Sequence, residues 1–504
     1  MISNIIKNLK GSSCPDVYGI SPDVVKLCPT ILAIPLFLII RKVLDEGSFP
    51  KPWKVARVIP VHKRGKKSSV EQYRPVSILP TFSKILETVL KDSLTTYLES
   101  NRILPKSQFG FRKGLSTHEA VIAMEHDIKT AKKKGLACGA LLFDLSAAFD
   151  TIDSDILLEK LKIYGADKSF LAIIASFLHD RAQKVVYQGA DSDFISIETG
   201  SPQGSILSPI LFLTLISDIE EWVTRSKLTG FADDTSALAI ARSREEVRNI
   251  LSSDAEIVLL FMAAMRLTAN PEKTKFILFG KSKEEPIKVG NCFVPESKEV
   301  TMLGIMFNKN QTWTSQLRKI EATLRQRIGL LKRLSRNLPR GVTVELLNPL
   351  FISHILHSLP VLSNSDFCSN VEVRNLHQLH RSAMKAALGI ATTDHPSNEN
   401  LFAATGQTPI TQIANTLSLS LACKCLPSWP LHPLTQGRLI DHPNVRQTRQ
   451  NKRFLPPQLV KSTLSHLVEI FESIPPEVRE EPNPCKRKRK IKSLVTQKPT
   501  PRLT

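Results

Sequence analysis

Apolar residues along the chain follow first one rhythm and then another, and the changes mark its elements. Ser21-Pro22-Asp23 is a cap followed by proline, a helix start, and the apolar run from Ile31 to Ile40 predicts a buried helix ending near Gly47. That run is too short to span a bilayer and contains Pro35. Val55 to Val61 is β-branched, and the basic stretch Lys63-Arg64-Gly65-Lys66-Lys67 separates it from a second run after Tyr73-Arg74-Pro75. Strand, basic loop, strand is the expectation.

From about Leu136 the order tightens. Ala137 to Leu145 reads as a strand and Ile156 to Tyr164 as a helix. Gln183 to Ile197 reads as a hairpin, with Val185, Val186 and Tyr187 facing Phe194, Ile195 and Ile197. Ser205 to Trp222 is an apolar helix, and Leu228 to Ile240 is strand, tight acidic turn, strand. Ser243-Arg244-Glu245-Glu246 is a capping box opening a helix to about Arg266, and Lys275 to Phe279 is the next strand. This β-α-insert-β-β-α-β order is that of a split, ferredoxin-like sheet within an α+β fold. In that topology the first strand, carrying Asp144, lies beside the hairpin carrying Asp233 and Asp234.

Beyond Gly304 the pattern turns helical. Leu317, Ile320, Leu324, Ile328, Leu331 and Leu334 form one stripe, with Arg318, Lys319, Arg325, Arg327, Lys332, Arg333 and Arg336 on the other faces. Helices are expected over Val371 to Leu388 and Asn400 to Leu426. From Pro427 the chain is Pro-rich and basic, and its last nineteen residues hold eight basic and no acidic side chains. That end is expected to be disordered.

Composition adds a partner. The 504 residues carry 68 basic and 47 acidic side chains, a net charge of +21, and 42% are hydrophobic. A sizeable core is available, which excludes a wholly disordered chain, and the surplus charge points to a polyanion, nucleic acid before anionic membrane. Eight scattered cysteines form no CxxC pair. Cys423-Lys424-Cys425 with His432 is the nearest approach to a metal cluster; without a second ligand pair, the thiols are read as buried and free. The start of the chain is not a secretory signal. An intracellular, non-secreted protein with no membrane partner is expected. Lys486-Arg487-Lys488-Arg489-Lys490 reads equally as a nuclear localisation signal or a solvated basic tail.

The candidate chemistry lies in Phe143-Asp144-Leu145-Ser146-Ala147-Ala148-Phe149-Asp150 and Phe231-Ala232-Asp233-Asp234. Asp144 with Asp233 and Asp234 places hard oxygen donors on one sheet edge, a set that would repel without a cation. Two Mg²⁺ ions there, with Mn²⁺ as the alternative, would suit an in-line displacement at phosphorus. Asp150 and Asp153 are read instead as caps of the following helix. Gly200-Ser201-Pro202-Gln203-Gly204 precedes an apolar helix whose N-terminal N–H groups could face an anion, with Gln203 as a further donor and acceptor.

The order of these pieces resembles the reverse transcriptases of non-LTR (LINE-type) retrotransposons, closest to the jockey and I-element groups. The resemblance covers about Asp16 to Leu338. It includes Trp53-Lys54-Val55-Ala56, Tyr73-Arg74-Pro75-Val76-Ser77, Gln108-Phe109-Gly110-Phe111-Arg112 and the Asp144 strand. Ser201-Pro202-Gln203-Gly204, Phe231-Ala232-Asp233-Asp234, Asn270-Pro271-Glu272-Lys273-Thr274 and Leu303-Gly304 complete it.

The resemblance implies a right-hand polymerase with fingers at 16–135, a ferredoxin-like palm at 136–308 and a helical thumb and connection at 309–426, followed by the basic tail at 427–504. It implies RNA-directed DNA synthesis from dNTPs on an RNA template and a DNA primer. Asp144, Asp233 and Asp234 would be catalytic, with the Leu145 carbonyl as a backbone metal ligand. Phe149 would meet the sugar of the incoming nucleotide and exclude a 2′-hydroxyl, with Ser146, Ala147 and Ala148 beside it. Arg74 and Lys63 would clamp the triphosphate, and Gln203 would sit by the nucleotide and template base. Lys273 would protonate departing pyrophosphate; for Lys63 and Lys273 a solvated surface lysine is the competing reading. Arg318, Lys319, Arg325 and Lys332 would lie along the primer–template backbone, the competing reading being an ordinary amphipathic bundle helix.

Members of that family usually carry an endonuclease upstream, and some a ribonuclease H after the thumb; the sequence starts almost at the polymerase motifs, shows no matching acidic set after Asn364 and shows no Cys/His knuckle. A polymerase piece is therefore expected, either a truncated element copy or a partial gene model, with an endonuclease, if used, encoded separately. Two rival readings remain: a catalytically dead remnant that only binds nucleic acid, against which the intact aspartates argue, and an RNA-dependent RNA polymerase, against which Phe149 argues.

Overall fold

The computed structural model describes residues 1–425 except 64, 147–148, 271–272, 282–283, 363–369 and 392, and beyond them residues 432, 440–441, 454–455, 463–481 and 483–497. The β-branched runs near the start form β1 (Val55–His62) and β2 (Tyr73–Ile78), antiparallel, with Arg57 opposite Ile78 and His62 opposite Tyr73. β3 (Ala137–Phe143) stops at Asp144, and the chain continues into the two-residue β4 (Leu145–Ser146).

The insert follows as β5 (Arg181–Tyr187), β6 (Ala190–Asp191) and β7 (Ile195–Ile197). β5 runs parallel to β1, so the insert extends the first sheet. The expected facing of Val185, Val186 and Tyr187 with Phe194, Ile195 and Ile197 is not found. Gln188 (φ 51°) and Gly189 (φ 85°) close a tight turn that pairs Tyr187 with Ala190, and Ile195 lies opposite Gln183 instead.

β8 (Lys227–Phe231), β9 (Asp234–Ala241), β10 (Thr268–Ala269) and β11 (Lys275–Phe279) come next. The main sheet has the order β11-β3-β9-β8, every pair antiparallel. These are the fourth, first, third and second strands of the βαββαβ unit, the ferredoxin-like order. Period-two alternation then divides the core. Cys138, Ala140, Leu238, Ile277 and Phe279 join the core of the helix Thr117–Lys133, while Leu141, Phe143, Ala237, Ala239, Phe276 and Leu278 join that of the helix Arg244–Ala264. Gly139 lets that second helix approach, since a Cβ there would lie 2.9 Å from Val247 Cγ1. Ser243 caps the same helix by accepting from Glu246 N, as the capping-box pattern requires.

Two hairpins follow, β12 (Ile287–Val289) with β13 (Cys292–Val294), and β14 (Glu299–Met302) with β15 (Ile305–Asn308). The chain therefore turns helical only at Thr314, not at Gly304; Leu303-Gly304 is the tip of the second hairpin. The helix Thr314–Leu334 buries Leu317, Ile320, Leu324, Ile328 and Leu331 and leaves Arg318, Lys319, Arg325 and Lys332 exposed. Its apolar stripe packs against β15 and the helix Asn370–Leu388.

Four further expectations change. The Ser205–Trp222 stretch is two helices, Ser208–Leu215 and Ile219–Trp222, the first buried all round. The stretch after Asn398 is also two, because Gly406 (φ 62°) ends Asn398–Thr405 before Ile410–Cys425 begins. The helix Pro29–Glu46 ends at Gly47 (φ 67°) as read, but buries only Leu36, Ile40 and Val43. Ile31, Ile34, Phe37 and Leu38 are exposed, because the helices packing against it, Ile2–Lys7 and Lys168–Leu178, cover one side. The tail read as disordered contains the helices Thr463–Ser473, Pro476–Arg479 and Pro484–Gln497. Leu464, Leu467, Val468 and Phe471 repeat at helical spacing and bury that segment against Thr117–Lys133 and Ile410–Cys425.

One buried ring sets an acid limit on this helical region. His380 stacks on Phe351 at 5.2 Å and meets the edge of Phe402 at 5.6 Å. Burial, then the neighbouring His377, lowers its pKa from 6.5 to about 4. The unfolded chain thus binds a proton that the folded chain refuses between those values, so stability is present above pH 6.5 and lost as pH falls through the window. Urea unfolding at pH 7 and pH 5 should differ by about 2 kcal/mol from this ring, and His380→Phe should remove that part of the difference.

Candidate active site

The acidic turn is built by β8 and β9, with Phe231 opposite Asp234 and Ala232 held at φ 60°. A non-glycine residue in that region needs outside support. Gln108 supplies it. Its Oε1 accepts from Ala232 N at 3.0 Å and from Gly110 N at 2.8 Å, and its Nε2 donates to Ala232 O at 3.3 Å. Phe109 N also donates to Gly230 O at 2.8 Å, and Gly230 N to Ser107 O at 2.9 Å. Gly110 must lack a side chain, since a Cβ would stand 2.2 Å from Ala232 N. Gln108→Leu should therefore cost about 1–3 kcal/mol of stability, because the buried Ala232 N–H loses its acceptor. Thermal unfolding measures that loss.

Asp144 sits where β3 gives way to β4. Its carbonyl accepts from Asn270 N at 2.9 Å, and β4 pairs with β10, so the segment leading to Lys273 is tied to the same corner. Phe143 lies opposite Thr235, which brings Asp144 to the first residues of β9. One cavity is lined by Asp144, Asp234, Ser236, Lys273, Lys275 and Leu303, among others. The carboxylates feel one another. Burial, then Asp144, raises the pKa of Asp233, with Arg74 opposing; burial, then Asp233 and Asp144, raises that of Asp234. A corner in which the Asp144 charge raises the pKa of both Asp233 and Asp234 is suited to a divalent cation, and the hard carboxylate oxygens match Mg²⁺ or Mn²⁺.

The loop Gly200–Gly204 joins this corner to the first sheet. Ser77 N of β2 donates to Gln203 O at 2.7 Å, and Ser201 N donates to Phe149 O at 2.8 Å. Gly204, at φ 132°, lies so close to β2 that a Cβ would be 2.3 Å from Ser77 O. Gln203 Nε2 donates to Asp150 Oδ2 at 2.7 Å. This corrects the reading of Asp150 as a helix cap: Asp153 alone caps Ser154–Ile163, accepting from Asp155 N and Ile156 N, while Asp150 holds Gln203. Burial raises the pKa of Asp150, against the Gln203 hydrogen bond and Lys63.

The N–H groups expected to face an anion before the apolar helix already have one. Glu87, fully buried, accepts from Ile206 N at 2.8 Å and from the hydroxyls of Ser205 and Ser83 at 2.6 Å each. That N-terminus is closed by an internal carboxylate 119 residues away in sequence from Ile206.

Other candidates fall as follows. Phe149 is half-buried, its ring 6.2 Å from Phe111 and 5.6 Å from Phe212. Leu145 and Ser146 contribute backbone through β4; Ala147 and Ala148 lie outside the described residues. Arg74, Lys63 and Lys273 are exposed, and Lys273 lines the carboxylate cavity. On the basic helix Arg325 is paired with Glu321 at 3.8 Å. Sequence reasoning missed the structural parts of Gln108, Asp150 and Glu87, and the placement of Leu303 at the cavity; Gln108 and Leu303 were visible only as pieces of a family motif.

Residues 61–307 match the family model "Reverse transcriptase (RNA-dependent DNA polymerase)". The chain is 28% identical over 350 residues to the RNA-directed DNA polymerase from mobile element jockey of Drosophila melanogaster. It is 29% identical over 346 residues to a probable RNA-directed DNA polymerase from transposon BS of the same organism. Each alignment covers 66% of this chain, which spans only 37% and 38% of the length of those relatives. A solved structure of apo telomerase from Candida tropicalis superposes with a TM-score of 0.40 at 12% identity, covering 80% of this chain and 74% of that one.

Proposed function

We propose, from the match of residues 61–307 to the reverse transcriptase family model, that the protein is an RNA-directed DNA polymerase of the non-LTR retrotransposon type. In this reading it adds deoxynucleotides to a primer 3′-hydroxyl on an RNA template. One observation carries the reading: Asp144 and Asp234, from strands about ninety residues apart, line a cavity with Lys273, and the Asp233 turn is clamped beside it. Divalent cations held by these carboxylates would supply Lewis-acid polarisation of the hydroxyl and neutralise charge on the triphosphate.

The chain's own residues do the positioning. Gln108 and Gly110 fix the turn that carries Asp233, and Gln203, held by Asp150 and by β2, presents the nucleotide face. Arg74 and Lys63 engage the triphosphate from the first sheet, a role their exposed charges near Asp233 and Asp150 support. Lys273 donates a proton to departing pyrophosphate. Phe149 stands against the sugar. Arg318, Lys319, Arg325 and Lys332, exposed on one helix whose other face is buried, follow the primer–template backbone. The fingers, palm and thumb divide near residues 135 and 308. Among the described residues no helix is long and apolar enough to cross a membrane. The exposed basic residues within Lys486–Lys490 would address the chain to the nucleus.

Template and sugar choice test the reading together. The purified chain, given Mg²⁺ and a DNA primer on RNA, should extend with dNTPs and scarcely with NTPs. Salt-sensitive binding without extension would leave a nucleic-acid-binding protein in its place, and efficient use of NTPs would make it an RNA polymerase.

A further inference from the structure

Among the described residues one group of metal-ligand side chains lies outside the proposed active site: Glu119, Cys425 and His432, with a ligand atom of each within 4.8 Å of the other two. They come from separate places. Glu119 is in the first turn of Thr117–Lys133, Cys425 is the last residue of Ile410–Cys425, and His432 lies beyond it. Glu119 and Cys425 have no solvent exposure, and His432 has 8%. A buried carboxylate is costly unless it is paired.

Part of that cost is met internally. Lys424 Nζ lies 2.6 Å from Glu119 Oε1, Cys425 Sγ donates to the same oxygen at 3.5 Å, and the Ser116 hydroxyl donates to Oε2. The lysine accounts for a buried carboxylate. The thiol and the imidazole both keep a ligand atom within 4.8 Å of that carboxylate and of each other. Cys423 shows the contrast, being equally buried two residues away and outside the group.

We propose that Glu119, Cys425 and His432 bind a zinc ion. Thiolate, imidazole and carboxylate together favour Zn²⁺ over Mg²⁺ or Ca²⁺, which take oxygen ligands alone. Donor atoms around tetrahedral zinc lie about 3–4 Å apart, so the observed spacing needs a closure of about 1 Å. As the Cys425 Sγ–zinc bond forms, the thiol proton leaves to solvent. Water completes the set through the open cleft that His432 borders with Glu99 and Arg112. Ser116 and Lys424 orient and neutralise the Glu119 carboxylate from outside. The ion would pin the end of Ile410–Cys425 to the helix that follows the Gln108–Gly110 clamp. The site is independent of polymerase activity.

The test uses the full chain, stripped with chelator, re-equilibrated with Zn²⁺ and passed through a sizing column before elemental analysis. About one zinc per chain should remain on the wild type, on Cys423→Ser and on Asp233→Asn, and should be lost from Cys425→Ser and Glu119→Gln. A wild-type chain that retains none, or a Cys425→Ser chain that retains as much as wild type, overturns the proposal. Should Cys425→Ser fail to fold, Co²⁺ added to the wild type decides instead. A thiolate-to-cobalt charge-transfer band supports the site, and Co²⁺ binding without that band, or no binding, refutes it.

Discussion

Asp144→Asn and Asp233→Asn are each expected to slow primer extension at least ~10³-fold while leaving primer–template affinity within about twofold. Metal-centred charge stabilisation is worth several kcal/mol, and each 1.36 kcal/mol is tenfold in rate. Both residues stand where the fold leaves little alternative: Asp144 at the break between β3 and β4, Asp233 in a turn locked by Gln108. A second readout separates this role from a structural one. Burial and mutual repulsion raise the pKa of Asp233 and Asp234, so removing one charge relieves the folded state in the absence of metal. Thermal unfolding in chelator should therefore show the variants as stable as wild type or more so. A variant that loses stability along with activity would mark the carboxylates as parts of the scaffold.

Phe149→Ala is expected to lower the preference for dNTPs over NTPs about a hundredfold, mainly through a lower KM for NTPs. The ring contacts Phe111 edge-on at 6.2 Å and Phe212 at 5.6 Å, and these contacts resist its displacement by an added hydroxyl. Forcing an extra group against a fixed side chain costs about 1–3 kcal/mol, the upper end of which is about a hundredfold. Single-nucleotide incorporation with matched dNTP and NTP gives the ratio directly. An unchanged ratio with slower dNTP incorporation would reduce Phe149 to a packing residue and remove the main argument against RNA synthesis.

Much of this architecture was legible because local pattern and topology agreed. Period-two strands separated by helices gave the β11-β3-β9-β8 sheet, and that topology alone placed Asp144 next to the Asp233 turn. What escaped the reading was long-range or governed by turns. Glu87 closes a helix N-terminus far along the chain, and no local pattern announces it. The register of β5 was misread because apolar residues were paired with apolar ones, whereas Gln188-Gly189 sets the turn. Asp150 and Asp153 look alike as caps, and only the position of Gln203 separates them. The terminal helices were hidden differently: the stripe Leu464, Leu467, Val468, Phe471 was readable, but proline and charge around it suggested disorder. Conversely, the run from Ile31 was apolar enough to suggest burial on both sides, and it found cover on one.

Asp144 and Asp233, on strands far apart in sequence, should hold the same divalent cation. Replacing Mg²⁺ with Fe²⁺ and adding ascorbate and peroxide generates radicals at the bound ion, which cut the nearest backbone. Cuts are predicted beside Asp144 and in the Asp233 turn, both suppressed by excess Mg²⁺ and both absent from Asp144→Asn. Cleavage at only one of these strands, or cleavage that persists in Asp144→Asn, would contradict the shared site.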